Sequence, residues 1–225
     1  MKKIFAVATI IAIFASTSIL CFGETKWDRL LVESARVFEE MTQMPEEGIP
    51  KSLLKNSYAI AIFPSVVGGG FVIGGKWGQG IVVVKDKKTA KWGAPAVFNL
   101  GGASLGWQIG GQATDTILLI GSERGLEGLL QSKFQLGGDA SVAAGPLGRE
   151  AEAATDLQLK GAILSYSRSR GAFIGAKLQG SVMTSNNEAN TSLYGGDYSP
   201  NDILILNKVK APGSAERLLN DLAKY

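Results

Sequence analysis

Ser104 lies in a stretch that matches a catalytic nucleophile motif. Gly102-Ala103-Ser104-Leu105-Gly106 fits the pattern G-x-S-x-G, in which the serine sits on a tight strand-to-helix turn and passes its proton to a histidine. The 225 residues contain no histidine. A lysine can take the proton in some enzymes, but the residues after Ser104 continue a strand pattern. Hydrolase chemistry at Ser104 is therefore the last-ranked functional hypothesis.

A second motif match involves phosphate chemistry. Gly70-x4-Gly75-Lys76 supplies most of a P-loop, whose backbone amides and lysine hold a nucleoside triphosphate. Trp77 occupies the position where the motif needs Ser or Thr for magnesium. The stretch also has the pattern of strand, turn and strand, whereas a P-loop opens a helix. We therefore predict a structural glycine turn here.

Acidic and metal-binding residues give no catalytic pattern. Asp115, Asp139 and Asp156 do not form a pair on one element, and isolated Asp residues near glycine usually accept backbone hydrogen bonds at turns. With no histidine and one cysteine, the sequence lacks the usual zinc ligands and the usual imidazole base. The composition predicts a protein that is not an enzyme, with no metal and no cofactor.

Basic residues gather at two predicted turns. Lys85, Lys87, Lys88 and Lys91 surround a hairpin turn next to Trp92, and cations beside an interfacial aromatic suit an anionic lipid surface. A solvated turn is an equal alternative. Arg168 and Arg170 form a smaller cluster of the same kind.

The N-terminus has the layout of a secretory signal peptide. Lys2 and Lys3 precede the apolar run 4–15, and cleavage is predicted after Gly23, with a cut after Ser18 as the alternative. The protein is then expected to be periplasmic or secreted. Two alternatives are an uncleaved membrane anchor, because residues 4–23 are just long enough to span a bilayer, and lipidation at Cys21.

The remaining chain, residues 24–225, is expected to form a single domain. Cleavage removes two lysines, so the net charge falls from +3 to +1, which gives no broad basic field for nucleic acid. Hydrophobic residues make up 45% of the sequence, enough for a substantial core, and 29 glycines imply bends within the strands. The oligomeric state is left open by the sequence.

Hydrophobic periodicity predicts an α+β fold: a strongly curled antiparallel sheet or small barrel-like β body, with an N-terminal amphipathic helix, one internal helix and a C-terminal helix. Thr25 is expected to cap the first helix, which runs to Met44, and Ser214 the last one. The other predicted helices are Lys51–Asn56 and Glu123–Lys133, and the predicted turn is Ser167–Gly171. The predicted strands are Tyr58–Phe63, Gly70–Lys76, Ile81–Lys85, Ala96–Asn99, Ala103–Ile109, Thr114–Ile120, Phe134–Ala144, Ala151–Tyr166, Ala172–Thr184 and Asp202–Leu206.

Several ordered blocks of the sequence resemble the SYLF domain family. The two most distinctive are Leu136-Gly-Gly-Asp-Ala-Ser-Val-Ala-Ala-Gly-Pro-Leu-Gly-Arg149 and Tyr166-Ser-Arg-Ser-Arg-Gly-Ala-Phe-Ile-Gly175. Earlier blocks lie at 59–64, 68–70, 92–96 and 104–110, so the resemblance covers most of residues 30–206.

The resemblance implies a lipid-binding module without enzymatic activity. Eukaryotic SYLF members are associated with phosphoinositides and, in yeast proteins, with actin filaments, whereas bacterial members are exported envelope proteins. Actin is not expected as a partner of an exported chain. In the family an N-terminal amphipathic segment is linked to membrane contact; the matching residues here are Lys26, Trp27, Arg29, Leu30, Leu31 and Phe38. The alternative is that this helix packs on the sheet.

The leading functional hypothesis is binding to phospholipid or an anionic membrane surface of the bacterial cell envelope. The second hypothesis is a structural or protein-interaction module with an envelope protein as partner. Both follow from the predicted export signal, the SYLF resemblance and the lack of a catalytic base.

Overall fold

A computed structural model describes residues 24–44, 48–106, 112–131, 133–147, 162–169, 172–174 and 178–225. The predicted signal peptide with Cys21, the carboxylate of Asp156 and the cation of Arg170 lie outside these residues, as do parts of the predicted strands Ala103–Ile109, Ala151–Tyr166 and Ala172–Thr184. The helices are α1 (Lys26–Thr42), α2 (Lys51–Asn56), α3 (Glu123–Leu129), α4 (Asn187–Tyr194), α5 (Pro200–Leu204), a 3-10 turn (Gly213–Ala215) and α6 (Glu216–Leu222). The strands are β1 (Ala59–Val84), β2 (Ala96–Gly106), β3 (Gln112–Ile120), β4 (Phe134–Gln135), β5 (Ser141–Ala144), β6 (Ala162–Ser169), β7 (Ala172–Ile174) and β8 (Val182–Ser185).

The strands form one strongly curled sheet in the order β4-β8-β2-β1-β3-β6-β5, with β7 paired to β6. The described pairings between these strands are antiparallel except that of β5 with β6. Together with helices at the N-terminus, in the middle and at the C-terminus, this arrangement confirms the predicted α+β class and the curled sheet.

The central element β1, a continuous run of β backbone over Ala59–Val84, folds back on itself. A methyl group placed on Gly78 would lie only 2.9 Å from Val66 Cγ2, and the Lys85 amide donates to the Tyr58 carbonyl at 2.9 Å. The two halves of β1 therefore lie side by side. The first half pairs with β3 and the second with β2.

The sheet has a buried apolar core on each face. Ile62 and Ile81 belong to the core that α1, α2 and α6 cover, whereas Phe63 and Val82 belong to the core that α3 and α5 cover. Successive residues alternate between the two cores because side chains alternate along a strand. This explains why the central strands read as nearly continuous apolar runs.

Helix α1 begins as the sequence predicted. Thr25 Oγ1 accepts from the Asp28 amide at 3.1 Å, and Asp28 Oδ2 accepts from the Thr25 amide at 2.9 Å, which completes a capping box. Asp28 Oδ1 also accepts from Ser214 Oγ at 2.6 Å. Ser214 lies in the 3-10 turn, so the prediction that it caps α6 is wrong: its hydroxyl ties the turn to α1.

The predicted strand Asp202–Leu206 is also wrong. Its first residues belong to α5, which begins directly after its cap Ser199, because Ser199 Oγ accepts from the Asp202 amide at 3.2 Å and Pro200 occupies the first turn. The alternation of apolar residues predicted a strand, but the capping residues Ser199 and Asp202 start a helix instead. Helix α4, which follows the cap Asn186, was missed altogether.

Several predicted boundaries differ from the observed ones. The three strands predicted between Tyr58 and Lys85 join into β1, with a register shift where Pro64 and Ser65 form a bulge. Phe134–Ala144 divides into β4 and β5 at a turn where Gly137 has φ 88°, a left-handed conformation that favours glycine. Further differences are that Ala96–Asn99 extends to Gly106, that the helix from Glu123 ends at Leu129, and that Ser167–Ser169 lies in strand β6 rather than in a turn.

Replacing Gly80 with alanine tests the close approach of the two halves of β1. The added methyl would overlap the Ile62 carbonyl oxygen and the Phe63 ring, so we expect the free energy of unfolding to fall by about 1–3 kcal/mol. Gly101→Ala is the control, since among the described residues no atom lies within 4 Å of its new methyl. Urea unfolding followed by circular dichroism measures both, and equal stabilities would contradict this packing.

Candidate functional site

The lysine-rich turn between β1 and β2 is built as the sequence predicted. Lys85 pairs with Trp92 across its base, and the Ala90 amide donates to the Asp86 carbonyl at 2.8 Å. Asp86 Oδ1 accepts from the Lys88 amide at 2.9 Å, which rigidifies the turn and uses the one acidic side chain within it. The turn therefore presents a fixed backbone with lysines around it.

Two of its lysines are engaged with the protein. Lys85 Nζ donates to the Lys55 carbonyl at 2.9 Å and lies 4.7 Å from the centre of the Trp92 ring. Burial of this ammonium, together with the nearby Lys55 charge, lowers the pKa of Lys85. Lys87 forms an ion pair with Glu123, and this hydrogen bond raises the pKa of Lys87.

The other two lysines of the turn face solvent. Lys88 and Lys91 are exposed, and within the described residues neither forms an ion pair. Trp92 is half-buried and donates from Nε1 to the Leu222 carbonyl at 3.0 Å. Lys88 and Lys91 are thus the freely presented cations of the turn, whereas Trp92 anchors it to α6.

An exposed apolar pair lies in the segment that meets the chain leaving this turn. Ile205 and Leu206 follow α5 and are 38% and 52% exposed. Asn207 comes next, with φ 49°, and its Oδ1 lies close enough to Gly93 that a methyl there would be 3.1 Å away. The apolar pair therefore neighbours the segment that leaves the lysine turn. We call Lys88, Lys91, Ile205 and Leu206 the lysine face.

Sequence reasoning missed the apolar half of the lysine face. Residues 202–206 were predicted as a strand, in which Ile205 and Leu206 would point to opposite sides. The signal that could have found them is the run Ser-Pro-Asn-Asp at 199–202, which begins a short helix whose end leaves both side chains outside the core.

The apolar residues proposed for the N-terminal membrane segment lie in the core. Leu31 and Phe38 are fully buried and Trp27 nearly so, and Leu30 packs against the same cluster. Lys26 and Arg29 are exposed, and Lys26 Nζ lies 4.4 Å from the centre of the Trp27 ring. The arrangement is the predicted alternative, a helix packed on the sheet, and of the six residues proposed for membrane contact only Lys26 and Arg29 are exposed.

Arg168 is a structural tie rather than a surface cation. Its side chain is 11% exposed, donates to Asp115 Oδ2 at 3.0 Å and also pairs with Glu40 at the end of α1. The hydrogen bond from Arg168 is the main cause that lowers the pKa of Glu40. The network joins α1 to β3 and β6.

The two motif matches lie within strands. Backbone pairing places Ser104 opposite Gly74 inside β2 and β1, whereas a nucleophile elbow requires a turn into a helix. The stretch Gly70–Lys76 is part of β1 and opens no helix, which is not the geometry of a P-loop. Both matches therefore have a structural explanation.

The fold and this surface define an interaction module. Residues 101–225 match a family model described as "Ysc84: Las17-binding protein actin regulator", which spans more than half of the chain. The chain belongs to this family, the SYLF family, and the resemblance read from the sequence is confirmed. The family description names binding and regulation and does not name a reaction.

Curated relatives show the same similarity. Protein YSC84 of Saccharomyces cerevisiae is 35% identical over 180 residues, 79% of this chain and 38% of that protein. Human SH3 domain-containing YSC84-like protein 1 is 31% identical over 199 residues, 86% of this chain and 57% of that protein. The chain thus spans less than two thirds of the length of these relatives. Within its described residues, no helix combines the length and apolar content needed to cross a membrane.

Replacing Arg168 with glutamine tests the tie between α1 and the sheet. Loss of its charged hydrogen bonds should lower the free energy of unfolding by about 1.5–3 kcal/mol at pH 7. Arg36→Gln is the control, because Arg36 pairs with the same Glu40 at the exposed surface, where a pair contributes less than about 1 kcal/mol.

The same pair of variants gives a pH test. Because the pKa of Glu40 is lowered in the folded state, its contribution is fully present above the ordinary glutamate pKa and is lost as pH falls through the lowered value. We expect the difference between wild type and Arg168→Gln to shrink below about pH 4 in thermal unfolding. A difference that stays constant down to pH 2.5 would argue against the ionic tie.

Proposed function

We propose that this chain is a non-enzymatic module that binds an anionic phospholipid surface of the bacterial cell envelope through its lysine face. The observation that carries the proposal is that two exposed lysines lie in a turn whose following residue Gly93 meets Asn207, the residue directly after the exposed apolar pair. We also propose that the N-terminal signal directs the chain to the periplasm or outside the cell.

The chemistry of the lysine face suits a phosphate-bearing surface with an apolar interior. Each lysine near an anionic leaflet contributes about 1 kcal/mol of attraction. Leu206 and Ile205 can enter the boundary between headgroups and acyl chains, where burial of apolar area adds to the electrostatic term. Neither contribution requires a change in the fold.

Contact through α1 would require a larger rearrangement. Leu31 and Phe38 would have to leave the core between α1 and the sheet, and the ties from Arg168 to Glu40 and from Ser214 to Asp28 would have to break. The lysine face avoids this cost, and Lys26 and Arg29 then act as additional exposed cations.

A protein-interaction module is the second candidate, and the family supports it. Its description names Las17 binding, which is a protein-binding property of that family. The same lysine face offers exposed lysines and apolar side chains that an acidic protein partner could contact. Capture from envelope extract separates the two: a stoichiometric protein without retained phospholipid would favour this candidate.

Neutralising the exposed lysines tests the electrostatic part. We expect Lys88→Gln and Lys91→Gln each to weaken association with phosphatidylglycerol-containing vesicles about fivefold, and the double variant about thirtyfold. Lys133→Gln is the control, because Lys133 is an exposed lysine outside the turn. Vesicle co-sedimentation at two salt concentrations measures this, and equal binding by all four variants would overturn the proposal.

Replacing the apolar side chain tests the other part. Leu206→Ser should weaken vesicle binding at high salt, where the electrostatic attraction is screened. Val67→Ser is the matched control, because Val67 is 53% exposed, as Leu206 is, and lies on β1 away from the turn. An identical loss in both variants would indicate that the lysine face has no special role.

A further inference from the structure

A cleft of about 670 Å³ lies on the sheet surface away from the lysine face. Trp77 forms one part of its lining, and Gln79 stands two residues further along the same face of β1. These residues precede Ile81, which is buried under the helices, so the cleft lies where the helical layer ends. Its volume is in the range of small-molecule sites.

Trp77 presents an aromatic surface to this cleft. Its side chain is 56% exposed, the highest value among the large apolar side chains that the structure describes. Its partner on β2 is Gly101, and no described atom lies within 4 Å of the position a side chain would take there. The indole therefore stands beside an open glycine floor, which a flat ligand can approach closely.

A row of amide side chains borders the indole. Gln79 Nε2 and Asn186 Nδ2 both donate to Asn99 Oδ1, at 3.3 and 3.1 Å. Asn186 Oδ1 in turn accepts from the Ala189 amide at 3.0 Å, which fixes the row to the first turn of α4. Among the described residues, Asn99 Nδ2 and Gln79 Oε1 have no hydrogen-bond partner, so the row offers the cleft one donor group and one acceptor.

The charge of the lining selects against anionic ligands. Glu188 contributes a carboxylate, and no lysine or arginine is present in the lining that the structure describes. A lipid chain would also fit poorly, because it would cover the amide, hydroxyl and carboxylate groups of Gln79, Asn99, Thr184, Asn186 and Glu188 without offering them hydrogen bonds. The lining suits a neutral ligand that has both an apolar face and many hydroxyl groups.

We propose that this cleft binds a neutral saccharide, with one sugar ring stacked on Trp77. The C–H groups on the face of a pyranose ring carry partial positive charge, which the negative face of an indole attracts. Asn99 and Gln79 hydrogen-bond the hydroxyl groups at the ring edge, and Glu188 accepts from a hydroxyl group at the rim.

The saccharide cleft and the lysine face are independent sites. Trp77 precedes Val84, the end of β1, by seven residues, which corresponds to roughly 20 Å along the strand. Variants at Lys88 and Leu206 should therefore leave saccharide binding unchanged. Failure of the membrane proposal would not affect this one.

Titration with neutral oligosaccharides tests the proposal. The probes are hexasaccharides of β-1,4-linked glucose, α-1,4-linked glucose and β-1,4-linked N-acetylglucosamine. Isothermal titration calorimetry measures their binding to the purified full chain. We expect at least one to bind, and Trp77→Ala to weaken it by about tenfold or more. Asn99→Ala should weaken it about three- to tenfold, through loss of a hydrogen bond.

The controls distinguish a local effect from loss of the fold. Trp77→Phe should retain part of the affinity because it keeps an aromatic face, and Leu206→Ser should retain all of it. Thermal unfolding of each variant confirms that the fold is intact. Binding of none of the three hexasaccharides, or equal binding by wild type and Trp77→Ala, would overturn the assignment. Binding of an unstructured peptide but of no saccharide would also overturn it.

Discussion

Strand β1 packs against itself at the centre of the sheet, and both helical layers cover the apolar faces that it helps to form. Its two halves approach so closely that Gly80 leaves no room for a side chain beside Ile62 and Phe63. Apolar residues then alternate between the two faces, and each face needs a cover of helices. Helix α1 supplies most of one cover, and α3 with α5 supplies the other.

This arrangement determines which surfaces remain for binding. Because α1 commits Leu31 and Phe38 to the core, its amphipathic character serves folding, and Val32 is its one exposed large apolar residue. The two binding surfaces that we propose lie instead on a turn and on sheet that the helices do not reach. The lysine turn with Leu206 is one such place, and the cleft beside Trp77 is the other. Because helices must cover the apolar faces of the sheet, the lysine turn and the cleft beside Trp77 remain as two exposed surfaces of different chemistry.

Local patterns carried much of the fold and part of the candidate site. The capping box at Thr25 and the turn at Asp86 were predictable because each depends on residues within four positions. The exposed pair Ile205 and Leu206 was missed, because the alternation of apolar residues predicted a strand and the capping signal at Ser199 was not recognised. The amide row was also missed, since Gln79, Asn99 and Asn186 come from distant segments.

The class of fold, the family resemblance of the ordered glycine-rich blocks and the position of the lysine turn could all be predicted from the sequence. All of these depend on short-range spacing or on composition. The packing of distant segments fixes which cations stay free, since Lys87 pairs with Glu123 and Arg168 with Asp115 across long separations. It also decided that the apolar face of α1 is buried, because an amphipathic stripe has the same spacing whether it covers a sheet or a membrane.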